Sequence, residues 1–107
     1  MANTYVNATV DLTSTSITVL YTCAALTTGV VKSIIVSEDS GNADTITVTL
    51  TNSSSAVFSL FKTKAISANA TLELLTAPLV LQAGDILKVT AATANRLHVV
   101  ASILEIT

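Results

Sequence analysis

Between Thr45 and Thr51 the chain alternates without a break. Ile46, Val48 and Leu50 take one side, and Thr45, Thr47, Thr49 and Thr51 the other. A period of two places successive side chains on opposite faces, so the segment reads as a half-buried strand. A β-branched hydroxyl keeps strand propensity while facing water. The same reading extends along the chain. Tyr5 to Leu12 and Ser16 to Cys23 are strands, the second with Ile17, Val19 and Tyr21 set against Thr18, Leu20 and Thr22. Val30 to Ser37 is apolar except at Lys32 and Ser33, which predicts a strand covered on both faces, one of them by a neighbouring subunit. Ala56 to Thr63 alternates Phe58 and Leu60 with Val57, Ser59 and Phe61, and both phenylalanines are expected in the core. Thr71 to Thr76, Ile86 to Thr90 and Arg96 to Thr107 complete the set, the last expected to be the longest, and Leu79 to Leu81 is an apolar run leading into the turn at Gln82.

Turn chemistry separates these segments. Glu38 to Asn42 is dense in acidic residues, Asn, Ser and Gly, residues that favour turns for distinct local reasons. It predicts an antiparallel hairpin of Val30–Ser37 with Thr45–Thr51, whose exposed tip carries Glu38, Asp39, Asn42 and Asp44. Asn52 to Ser55 and Ser67 to Ala70 are further turns, and Ala91 to Asn95 is a loop of small residues. Pro78 donates no backbone N–H, which places it at an edge or a crossover. Gly84 sits where a tight turn needs a permissive residue, and Asp85 is expected to accept backbone N–H bonds there. Ser67 to Leu75 contains helix formers, but Thr71, Thr76 and its short length favour a strand. About eight short strands imply an all-β antiparallel sandwich, jelly-roll-like or immunoglobulin-like. One domain spans residues 1–107, with residues 1–12 an N-terminal arm or an edge strand.

Composition sharpens this picture. Half of the 107 residues are apolar and 11% are charged, against about a quarter charged in an ordinary soluble domain. So small a domain buries only roughly two-thirds of its extended surface. Part of the apolar excess is therefore expected against other subunits. Net charge is −2 and there is one arginine, so no basic stripe marks a nucleic acid or an anionic membrane as partner. Nothing at the start reads as a targeting segment, because Asn3, Thr4 and Asn7 interrupt it. No apolar run approaches a bilayer-spanning length.

Little in the sequence carries chemistry. Cys23 is the only cysteine, which excludes an intrachain disulfide and a cysteine zinc site, and it is expected as a buried thiol. His98 is the only histidine, too few for a triad or a zinc centre. Glu38, Asp39 and Asp44 do not follow the spacing of a calcium loop. No pair of acids is singled out for glycoside hydrolysis. The expectation is a protein with no catalytic residue, no metal and no cofactor. Arg96 and His98, near the start of the last strand, are candidate subunit contacts, since arginine is enriched at interface hot spots. Glu105, Glu73 and Asp11 are the candidate partners of Arg96. Tyr5 and Val6 are candidate contacts in the N-terminal arm, which would add a strand to a neighbour.

Three stretches carry a resemblance. Thr71 to Leu75, Pro78 to Leu81 and Ala83 to Val89 together resemble small virion proteins of tailed bacteriophages, closest to those of cyanobacterial phages. Tyr21 to Cys23 with Val30 to Ser37, and Leu97 to Ile106, are similar to the same proteins. The likeness runs from Thr18 onward and rests on motifs of moderate specificity. It implies a non-enzymatic β-sandwich that decorates or cements a capsid, assembled in the host cytoplasm and resident in the virion. It also implies self-association, with a trimer favoured, and contact with the major capsid protein. The alternative is a tail, neck or fibre component that binds a receptor or glycan, although the loops are poor in aromatic residues.

Overall fold

The computed structural model describes residues 2–107 and contains nine strands. They are β1 (Asn3–Asp11), β2 (Thr18–Thr22), β3 (Thr28–Glu38), β4 (Asp44–Thr51), β5 (Val57–Ile66), β6 (Thr71–Glu73), β7 (Leu79–Leu81), β8 (Ile86–Ala91) and β9 (Leu97–Ile106). All pairings are antiparallel. One sheet runs β1-β9-β3-β6, with β7 also on β3; the other runs β2-β8-β4-β5. The pairs nest: β1 with β9, β2 with β8, β3 with β6 and β7, β4 with β5. A long hairpin centred on the β4–β5 turn, folded over so that alternate pairs enter alternate sheets, produces this order. It is the jelly-roll topology, which decides between the two sandwich types.

The core lies between the sheets. Val31, Ile34, Val36, Leu97, Val99, Ala101 and Ile103 enter it from the first sheet; Ile46, Val48, Leu87 and Val89 enter from the second. Each of the valine, leucine and isoleucine side chains contributes about 1.5–3 kcal/mol by leaving water. β3 keeps its inner face apolar by a bulge. Val31 pairs with Ile103 and Ser33 with Ser102, so Lys32 is the extra residue, turned to solvent. That accounts for a lysine inside an otherwise apolar run.

Several expectations are corrected. Val30–Ser37 and Thr45–Thr51 are not a hairpin: β3 and β4 lie in different sheets, and Asp39–Ala43 bridges them. Both strands bury alternate residues, so stacking them face to face covers both where edge pairing would cover neither. The longest strand is β3, at 11 residues, not the last. Phe58 is 54% exposed, because β5 is an edge strand with two register shifts, while Phe61 packs partly on the core. The N-terminal segment forms β1, paired along its whole length with β9 of its own chain. Pro78 lies between β6 and β7, where the edge of the first sheet is interrupted. Gly84 has φ +88°, and Asp85 accepts the Gln82 N–H at 2.8 Å. The positive φ favours glycine here, and a Cβ would also crowd Ser53 Cβ at 3.0 Å.

Candidate functional site

The two outer faces differ. Across the middle of the second sheet, Lys88 and Thr90 on β8 face Thr49 and Thr47 on β4, a hydroxyl and ammonium surface suited to water. The outer face of the first sheet carries four transverse rows set by register. The first is Tyr5, Leu104, Val30 and Val80, apolar across four strands. The second is Asn7, Ser102 and Ser33. The third is Thr9, Val100, Ile35 and Glu73. The fourth is Asp11, His98, Ser37 and Thr71. Tyr5 is 75% exposed and Val80 58%; Val100 and Ile35 are each 38% exposed. The outer face of β3 is thus uncovered in the single chain.

The fourth row ends in a charged cluster. His98 Nε2 lies 3.2 Å from Asp11 Oδ1, and His98 Nδ1 lies 3.4 Å from Asp39 Oδ2. All three side chains are more than a third exposed, so these pairs contribute little to stability. Arg96 is nearby in sequence but turns to its own chain: Nη1 donates to the Ala43 carbonyl at 2.9 Å, holding the β3–β4 connection. Two of its expected carboxylate partners are engaged elsewhere. Glu105 accepts the Tyr21 phenol at 2.5 Å, joining the two sheets at one rim. Glu73 accepts the Ser33 hydroxyl, the Ile34 N–H at 2.8 Å and the Leu75 N–H at 3.2 Å. The third, Asp11, faces His98.

The hairpin-tip expectation divides. Asp39 and Asn42 are exposed, but Glu38 and Asp44 are buried, because they are the last residue of β3 and the first of β4 rather than loop residues. Asp44 accepts the Thr93 N–H at 3.2 Å. Glu38 accepts N–H bonds from Ser40 (2.7 Å), Gly41 (3.0 Å) and Asn69 (3.0 Å), and the Ser40 hydroxyl. Burial pushes its carboxyl up, but these donors outweigh burial and hold it at about 2. Glu73 also lies below the usual range: desolvation raises it, and the bonds from Ser33, Ile34 and Leu75 more than offset that. Burial pushes the Tyr21 phenol up, and the Glu105 bond and charge push it further. Cys23 is buried, its thiol 3.3 Å from the Thr27 carbonyl, and burial is the main cause of its raised pKa.

These acids hold backbone. Among the described residues no group of three His, Cys, Asp or Glu side chains is placed to hold a metal ion. A pocket of about 320 Å³ opens between β5 and the β6–β7 connection, lined by Leu60, Phe61, Leu74, Leu75, Pro78, Leu79 and two small neighbours, none titratable. The apolar row Tyr5–Leu104–Val30–Val80 and the open strand edges are the exposed features that set this surface apart. Sequence periodicity places Tyr5, Val30 and Val80 on strands, but their alignment across four strands depends on register, which no local signal supplies. Val6, the other N-terminal candidate, is half-buried and packs inward on the core, opposite in sense to Tyr5. No family model and no curated protein matches the sequence.

Proposed function

We propose that this chain is a non-enzymatic structural protein of a tailed-phage virion, a decoration or cement protein that acts by associating with its own kind and with the capsid surface. The observation that carries the reading is the apolar row Tyr5–Leu104–Val30–Val80 on the outer face of the first sheet. Exposed apolar patches of this kind mark sites of protein contact. The engagement of Glu38, Glu73, Asp85 and Glu105 in structural hydrogen bonds supports it. So does the resemblance of Thr71–Leu75, Pro78–Leu81 and Ala83–Val89 to small phage virion proteins. A cement protein needs a rigid sandwich with a contact face, and a jelly roll supplies both. Quantitative mass spectrometry of purified particles tests this. The expected result is a copy number comparable to that of the major capsid protein. Absence from purified particles overturns it.

A further inference from the structure

The sandwich has four sheet edges, one of them shared by β6 and β7, and three of the four are blunted. β5 carries two register shifts, a left-handed Thr63 (φ +48°) and the exposed lysines 62 and 64. β6 and β7 are three residues each, interrupted at Pro78. β2 is five residues with a register shift between Val19 and Tyr21. Bulges, lysine, proline and short length are the devices by which a sheet edge avoids pairing with another chain. β1 has none of them. It is nine residues long, contains no lysine or proline, and pairs with β9 without a shift from Asn3 to Asp11.

The hydrogen-bonding parity of that edge is fixed. Ala2 and Thr107 exchange both backbone bonds (3.2 and 3.0 Å), and the Leu12 N–H donates to the Leu97 carbonyl (3.1 Å). In an antiparallel ladder such bonded pairs alternate with non-bonded ones. Even residues of β1 therefore point their N–H and C=O at β9. Asn3, Tyr5, Asn7, Thr9 and Asp11 point theirs at the open edge. Among the described residues, only the Asp11 carbonyl of this set has a partner, the Thr13 N–H at 2.9 Å.

We propose that a second copy of this chain pairs along this edge, β1 against β1, about a two-fold axis through Asn7, fusing the two first sheets into one. The proposal rests on the self-association reading above and specifies its interface. The occupant is a second copy because the strand is complementary to itself. With Asn7 opposite Asn7, Tyr5 faces Thr9 and Asn3 faces Asp11, so all five edge residues are used and no like charges meet. The largely apolar rows of the two copies also come into line, with Thr9 at the junction. The row Val80, Val30, Leu104, Tyr5 of one copy runs into Thr9, Val100 and Ile35 of the other. β2 flanks the same side of the sandwich, with the exposed Ile17 just before it. A ring of three would need β1 to pair with a different edge, and each of the others is blunted. The geometry therefore favours a two-fold pair over the trimer implied by family resemblance.

Charge reversal at the axis tests this. Sedimentation equilibrium compares the parent, Asn7→Lys, Asn7→Asp and an equimolar mixture of the two variants, with circular dichroism confirming that each folds. Like charges placed opposite each other should weaken self-association of each single variant more than tenfold. The mixture should regain it, because Lys then faces Asp. Rescue in the mixture is a readout that misfolding cannot produce. If the parent associates and both variants associate equally well, the β1 edge is the wrong interface and self-association stands. If the parent is a monomer at every concentration, self-association falls and the edge pairing with it.

Discussion

Glu38 joins two turns that are distant in sequence. Its carboxylate receives N–H bonds from Ser40 and Gly41 in the β3–β4 connection and from Asn69 in the β5–β6 turn. Its pKa is lowered from 4.5 to about 2, so ionisation favours the folded state. The stabilisation is complete above the unfolded value and is lost as pH falls from about 4.5 to about 2. Glu38→Gln should melt several degrees below the parent at neutral pH, and its melting temperature should change less across that acid window. Thermal unfolding at a series of pH values checks this. Glu73, also lowered, keeps some acid dependence in the variant. Identical acid profiles for parent and variant would remove Glu38 as the cause. Sequence reading placed this glutamate at a solvated loop tip, because Asn69 is thirty-one residues away and no local pattern announces the bond. Asp85, by contrast, was legible: its acceptor role lies within the Gln82–Asp85 turn, and turn chemistry is local.

At the scale of elements, alternation located nearly every strand but not its partner. The β3–β4 connection has the composition of a hairpin turn, yet it crosses between sheets. A turn residue is chosen for its own backbone angles, which a hairpin and a cross-sheet link both require. Phe58 departs from its expected burial for a related reason. Phe58 is apolar, but two register shifts on an edge strand leave it exposed. β1 offers a test of strand parity. Asn7→Pro removes an N–H directed at the open edge, and should change the unfolding free energy of the monomer by no more than about 1 kcal/mol. Ala8→Pro removes one directed at β9, and should cost about 3 kcal/mol or more. Denaturant unfolding under dissociating conditions measures both. Equal costs would show the parity to be reversed or absent.

For the whole molecule, the contrast between faces and edges matters more than any single residue. The middle of one outer face carries threonine and lysine, with Val19 beside Lys88 at its margin; the other carries one row that is apolar throughout, Tyr5–Leu104–Val30–Val80, among mixed and polar rows. Three edges are blunted and one is open. High apolar content and low charge raise the expectation of surface buried between subunits, but composition cannot say which surface. The proposed pairing assigns it to the first sheet and β1. Residue-resolved amide exchange of the protein, under dissociating and associating conditions, tests this account most directly. The amides of Thr4, Val6, Ala8 and Val10 should be protected in both states, since β9 holds them. Those of Tyr5, Asn7 and Thr9 should exchange freely in the monomer and become protected on association. Free exchange at these three amides in a fully associated sample would contradict the account.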